Sequence, residues 1–151
     1  MRAVLQRVEN ASVHVDGQTV GAIGRGVLVL VAVEQGDDGA DARLMADRLA
    51  GLRLFSDNAG KMNLDAGKAG GSFLVVSQFT LAASLRKGRR PSFNGAAEPG
   101  RATELVDLLV EELGNLGFEV ATGQFGADMR VRLVNDGPVT FILEIRDGRV
   151  I

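Results

Sequence analysis

The sequence predicts an α/β fold in one domain spanning residues 1–151, with two β layers and an outer helical layer (β/β/α), barrel-like in form. Three observations carry this. The length falls in the single-domain range. Strand-like segments outnumber helical ones, and two of them, Val27 to Val33 and Ser72 to Ser77, are apolar enough to be covered on both faces. Only two stretches show helical periodicity, enough to cover one sheet.

In chain order, residues 2–8 and 12–23 read as strands, the second broken by Asp16-Gly17, a dipeptide suited to a tight hairpin. After the Gly24-Arg25-Gly26 turn comes the buried strand Val27–Val33, which belongs at the centre of a layered fold. Asp37 or Asp38 can cap a helix over 39–52, where Met45, Leu49 and Leu52 recur at helical spacing. Residues 56–71 are rich in Gly and Asn and read as a loop with at most a short strand. A second buried strand, 72–77, runs into the polar Gln78-Phe79-Thr80. A helix over 99–116 follows, with Pro99 in the first turn, Leu105, Leu108, Leu109, Leu113 and Leu116 on one face, and Gly117 as C-cap. The last third alternates apolar and polar residues on both sides of Asn135-Asp136-Gly137-Pro138, which predicts two antiparallel strands joined by a turn.

Composition removes several function classes. Hydrophobic residues make up 46% and charged residues 24% of the chain, which excludes disorder, collagen-like repeats and a coiled coil. The 17 Lys and Arg against 19 Asp and Glu give a net charge of -2, so a polyanionic partner must be held by a local patch. With no Cys, thiolate nucleophiles, disulfides and zinc knuckles are excluded, and a cytosolic home is compatible. A catalytic triad or histidine metal site would have to be built around the single His14, which reads instead as a solvated or structural residue on a strand. No metal and no cofactor are expected. The longest apolar run is far shorter than the ~20 residues of a membrane span, and the first residues lack a secretory core, so the reading is of a soluble protein without a leader. Phe is the only aromatic, which leaves a thin platform for stacking RNA bases.

Four places could carry chemistry. Ser77-Gln78-Phe79-Thr80 supplies two hydroxyls and a run of main-chain N–H groups leaving a strand, which can be aimed at a developing oxyanion; equally, Ser and Thr commonly satisfy strand-end backbone groups. Thr80 as a nucleophile lacks a nearby His or Lys to act as base. Gly137-Pro138 reads first as part of a hairpin, but Pro removes a ladder donor, and a Gly-Pro bond can turn two successive carbonyls to one side as acceptors for an amino group. Arg86, Lys87, Arg89 and Arg90 form the one dense basic run, either a solvated loop or a place for phosphates. Arg7 shares a face with Ala3 and Leu5 and is either a snorkelling edge residue or a buried cation holding carbonyls.

Ser77-Gln78-Phe79-Thr80-Leu81 together with Asn135-Asp136-Gly137-Pro138-Val139-Thr140 resembles the signature pair of the D-aminoacyl-tRNA deacylases of the D-tyrosyl-tRNA deacylase type. The similarity runs from Met1-Arg2-Ala3-Val4-Leu5-Gln6-Arg7-Val8 through Arg90-Pro91-Ser92-Phe93 to the C-terminal strands, and neither motif departs from the pattern. The resemblance implies a homodimeric, cytoplasmic esterase acting on the aminoacyl-tRNA 3′ end, releasing D-amino acids or glycine and sparing L-aminoacyl esters. It implies that Gly137-Pro138 enters the partner subunit's pocket, holds the substrate amino group and excludes an L side chain. Ser77, Gln78, Phe79 and Thr80 would line the reacting ester, Arg7 would fix the Gly-Pro motif, and Ala102 and Met129 would line the pocket. Arg86, Lys87, Arg89 and Arg90 are expected at acceptor-stem phosphates. Two mechanisms stay open: attack by Thr80, or attack by water with help from the tRNA 2′-hydroxyl. A binding module without turnover and a Thr80 esterase on small free substrates are the rival readings; a metallohydrolase is disfavoured by the ligand inventory.

Overall fold

The computed structural model describes all residues from Met1 to Ile151. Nine strands are present: β1 (Arg2–Val15), β2 (Gln18–Ile23), β3 (Gly26–Ala32), β4 (Phe55–Ser56), β5 (Met62–Leu64), β6 (Ser72–Ser77), β7 (Val120–Thr122), β8 (Arg130–Arg146) and β9 (Arg149–Val150). Helices α1 (Gly39–Gly51), α2 (Ala66–Ala69) and α3 (Pro99–Asn115) and a 3-10 turn at Phe79–Ala82 complete the chain. The main sheet runs β7-β6-β3-β1-β8-β9, with β2 also paired to β1. Strands β3 and β6 are parallel, as a strand-helix-strand crossover through α1 requires.

The two expected β layers are the two halves of this one curled sheet, and a bulge in β1 makes the curl. Ala3 and Leu5 face the helices, whereas Val8, Ala11 and Val13 face the other way, so the alternation changes phase around Glu9. There β1 steps from Val8 to Asn10 while β8 steps only from Asn135 to Val134. The extra residue bends the strand and increases its twist. The strand read over 2–8 and the part before Asp16-Gly17 of the strand read over 12–23 are therefore one continuous strand pairing with β3 in its first half and β2 in its second. The far half folds over β6 and β7, and a Cβ on Gly21 would lie 2.1 Å from the Thr122 carbonyl oxygen, so only glycine permits this approach.

Each face of the curl has its own core. Val27, Val29, Val31, Phe73 and Val75 pack against Met45 and Leu49 of α1 and Leu105, Leu109 and Leu113 of α3. Leu28, Leu74 and Val76 point into the curl, against Val8, Val13 and Ile23. This double burial is what the apolar runs of β3 and β6 encode. Helix α1 starts at an Asp38 N-cap with a reciprocal bond from the Asp38 N–H to Asp41, a full capping box. Helix α3 carries Pro99 in its first turn and ends before Gly117, which takes φ +92. Leu116 departs from expectation: it lies past the last helical turn and is 52% exposed.

Two further expectations are corrected. Residues 56–71 hold more than a loop with one short strand, since β5 pairs with β4 in a small antiparallel sheet and Asp65 caps the single turn α2 through the Lys68 N–H. That main-chain bond holds the Asp65 carboxyl below its ordinary range. The Asn135–Pro138 segment is not a hairpin turn either, because β8 runs unbroken for 17 residues. Gln6 pairs with Thr140 and Val8 with Asn135, so Asp136–Val139 bulges out opposite Arg7 alone. Pairing along the whole of β1 overrides the local turn chemistry.

Candidate active site

At the end of β6 the chain stops pairing and turns. The Gln78 N–H still donates to the Val31 carbonyl at 2.7 Å, but the N–H groups of Phe79 and Thr80, which open the 3-10 turn, have no protein acceptor. A turn of this kind leaves its first donors free by construction. The Gln78 side-chain amide donates to Thr80 Oγ1 at 2.6 Å, so one lone pair of that hydroxyl is already engaged. Arg2 Nη1 donates to the Leu81 carbonyl at 2.9 Å and ties the far end of the turn to β1. The segment is thus a fixed pair of free donors beside two hydroxyls, an arrangement able to stabilise negative charge developing on a carbonyl oxygen.

Beside it lies a cavity of about 310 Å³, lined by Ser77, Gln78 and Phe79 on one side and by Met129, just before β8, and Val131 of β8 on another. Ala102 of α3 lines a smaller adjoining hollow with Ser77, Gln78 and Phe79. Val76, Phe125, Gly126, Ala127 and Asp128 complete the first cavity, and Asp128 is its only ionisable lining residue. Sequence reasoning missed this loop; its available signal was one Phe between two glycines in a polar stretch after β7.

The second motif lies elsewhere. The Gly137-Pro138 peptide bond is cis. The Asn135 side-chain amide donates to the Arg7 carbonyl at 2.9 Å and to the Val139 carbonyl at 3.3 Å, which supplies the donor that Pro138 lacks. Arg7, only 9% exposed, donates from Nε to the Asp136 carbonyl at 3.1 Å and from Nη1 to the Leu54 carbonyl at 2.7 Å. It also pairs with the Asp136 carboxylate at 2.9 Å. Arg7 is therefore the buried cation holding carbonyls. Neither Gly137 nor Pro138 lines the cavity at Ser77. Ser77 is in register with Val31, Val31 with Ala3 and Ala3 with Leu143, six residues beyond Gly137 on a strand three places away in the sheet. Because Asp136–Val139 bulges opposite Arg7, Gly137 lies four residues along β1 from Ala3, which ordinary strand spacings make ~14 Å across and ~13 Å along the sheet.

The basic run is exposed, and none of Arg86, Lys87, Arg89 and Arg90 forms a salt bridge. A bridge between Ser84 and Ser92 closes the loop that carries it. Phe93, just beyond, packs on Phe79 with ring centroids 5.1 Å apart, so the loop is moored to the turn with the free donors. His14 is half-buried and away from this turn, bonded to Ser12 Oγ and Thr19 Oγ1. No group of three or more His, Cys, Asp or Glu is placed to hold a metal ion, and no helix is long and apolar enough to cross a membrane.

Comparison with known proteins gives this geometry a lineage. A family model described as D-Tyr-tRNA(Tyr) deacylase matches residues 4–144. A D-aminoacyl-tRNA deacylase of Geobacter sulfurreducens is 58% identical over 146 residues, covering 97% of this chain and 96% of that one. Another, of Methylococcus capsulatus, is 57% identical over 149 residues, covering 99% and 97%. A solved structure described as c-Myc DNA Unwinding Element Binding Protein superposes with a TM-score of 0.90 at 37% identity, covering 97% of this chain and 99% of that one. A probable eukaryotic D-amino acid tRNA deacylase shares the fold, with a TM-score of 0.84 at 18% identity over 95% of this chain and 98% of that one. With both motifs inside the matched span and near-complete coverage on both sides, this chain belongs to the D-aminoacyl-tRNA deacylase family, a family of hydrolases.

Proposed function

We propose that this protein hydrolyses the ester between a D-amino acid, or glycine, and the 3′ ribose of tRNA, and that it rejects L-aminoacyl esters. The observation that carries the chemistry is the pair of free N–H groups on Phe79 and Thr80 beside the Ser77 cavity. Water adds to the ester carbonyl, the two N–H groups hold the resulting oxyanion, the bond to O3′ breaks, and a proton passes to O3′ as free amino acid and tRNA separate. Water is favoured over Thr80 as nucleophile because the Gln78 amide occupies a Thr80 lone pair and no His or Lys lines the cavity. The tRNA 2′-hydroxyl is the remaining group placed to assist.

Selectivity belongs to Gly137-Pro138. Its main-chain carbonyls hold the substrate amino group, and its bulk closes the space an L side chain would need, a filter by exclusion that tolerates many D side chains and glycine. One chain cannot bring this dipeptide to its own cavity, so a second copy supplies it, giving a symmetric homodimer with two shared sites. The apolar face beside the motif supports the pairing: Phe141 and Ile142 of β8 are exposed, in line with Leu52, Leu54 and Met62. Arg86, Lys87, Arg89 and Arg90 contact acceptor-stem phosphates in this reading. Neutralising three of them lowers the salt dependence of tRNA affinity; an unchanged slope removes them from the interface. The compartment in this reading is the cytoplasm.

The test is release of D-tyrosine, L-tyrosine and glycine from their charged tRNAs by chelator-treated protein. Loss of the D and glycyl esters with the L ester intact is the expected result. Hydrolysis of none of them by folded protein would leave a nucleic-acid-binding module as the reading. That second reading draws on the DNA-binding description of one structural relative.

A further inference from the structure

We propose that the outer face of the curled sheet carries a second anion site, where Arg130 and Arg132 bind backbone phosphates of the tRNA's single-stranded 3′ end. This rests on the tRNA reading above and extends it. Strand alternation sets the geometry: Met129 and Val131 wall the reaction cavity, so Arg130 and Arg132 leave β8 on the opposite face. On that face His14 is paired with Arg130, Ser12 with Arg132, and Thr19 of β2 with His14. The two arginines, His14 and Thr19 line a cavity of about 700 Å³ that contains no hydrophobic residue.

Both arginines are exposed, and neither makes a salt bridge or a side-chain hydrogen bond. Arg2, Arg7 and Arg146 of the same sheet have acidic partners; Arg149, in the short strand β9, has none but lines no such cavity. Two planar guanidinium groups on a rigid strand, with no acceptor of their own, fit a phosphodiester. His14 is held between Ser12 Oγ at 2.9 Å and Thr19 Oγ1 at 3.2 Å, which keeps its ring on the floor of the site. Asp16 and Asp128 also line the cavity and repel an anion, so only the two guanidinium groups can hold a phosphate there.

Continuity with the reaction cavity decides the ligand. Asp128 lines both cavities, so they share a rim at the start of β8. A nucleotide chain whose 3′ ester lies in the first cavity and crosses that rim meets Arg130 and then Arg132. A free phosphate has no reason to need the two cavities joined, whereas a chain does.

The experiment measures affinity for uncharged tRNA by fluorescence anisotropy between 50 and 300 mM salt, for wild type, Arg130→Gln/Arg132→Gln and Arg130→Lys/Arg132→Lys, alongside D-tyrosyl-tRNA hydrolysis by the wild type. Removing two single-strand phosphate contacts lowers the log–log salt slope by about 1.4 and weakens binding about tenfold near 0.1 M salt; the Lys pair restores most of both. A Gln pair that melts like wild type but keeps the wild-type slope overturns the site, while hydrolysis by the wild type leaves the function standing. Conversely, a changed slope in a protein that hydrolyses nothing keeps the site and removes the esterase reading.

Discussion

The turn after β6 and the bulge in β8 are the two irregular main-chain segments that carry the family motifs, and they are built in opposite ways. At Phe79 and Thr80 the chain leaves donors unpaired and open to a cavity. At Asp136–Val139 it surrounds its irregularity with partners: Arg7 on two carbonyls and a carboxylate, Asn135 on two more carbonyls. The first segment keeps hydrogen-bonding capacity in reserve for a reacting group. The second is made stiff, which is what the steric filter proposed for it requires, since a filter that yields by an ångström admits the wrong enantiomer. The two are separated on one chain, so each copy carries one complete donor turn and one complete filter.

The largest effect is expected at the donor turn. Phe79→Pro removes one N–H at a position where proline tolerates the turn, whereas Phe79→Ala removes only the ring packed on Phe93. The Pro variant should lose about 10²–10³ in kcat relative to the Ala variant; equal rates would take the Phe79 N–H out of the oxyanion site. Next comes the filter. A Cβ on Gly137 would lie 2.8 Å from Asn135 Oδ1, so Gly137→Ala must displace the side chain that supplies the missing ladder donor. The ratio of D- to L-tyrosyl ester hydrolysis should fall by at least about tenfold; an unchanged ratio separates chirality from this bulge.

Arg7→Lys is expected to act more mildly and on both stability and selectivity. A lysine cannot reach the Leu54 and Asp136 carbonyls together, leaving one buried acceptor unpaired at a cost of about 1–3 kcal/mol, read as a lower urea midpoint. Selectivity should fall with it, and a loss of stability alone would make Arg7 structural only. Thr80→Val is the smallest effect: with water as nucleophile kcat drops by about tenfold or less, while loss below about 10⁻³ of wild type would identify Thr80 as the attacking group.

The layers of the fold were legible because burial writes itself into apolar runs and helical spacing. Val27–Val33 and Leu105, Leu109 and Leu113 are where the sequence places them in the core, and side-chain chemistry narrows the α1 cap to Asp37 or Asp38, of which the structure uses Asp38. The β8 strand was not legible as one element, because Asn-Asp-Gly-Pro carries every local mark of a turn and only long-range pairing with β1 keeps it extended. Residues 9–11 of β1 hid a bulge for the same reason. Of the site, the Ser77–Thr80 segment announced itself as a polar tail on a buried strand, and Arg7 showed which face it shares but not which carbonyls it holds. The loop at Phe125–Asp128 carried no periodicity at all, since it is placed by the cavity it closes. The outer-face arginines looked like an ordinary solvated alternation, and only the wholly polar cavity they share with His14 and Thr19 sets them apart.

The central claim, that a working site takes its donor turn from one copy and its filter from the other, is tested most directly by complementation. A subunit carrying Phe79→Pro lacks a working donor turn, and a subunit carrying Gly137→Ala with Pro138→Ala no longer presents its carbonyls to the substrate amino group, so each alone is inactive on D-tyrosyl-tRNA in this account. Unfolded together and refolded at equal concentration, half of the dimers are mixed, and each mixed dimer holds one intact site of two. Activity should return to about a quarter of the wild-type value, as two-fold symmetry with random pairing requires. Mixtures that stay as inactive as either parent, with mixed dimers confirmed by mass, would place both segments in the same subunit's site and contradict the account.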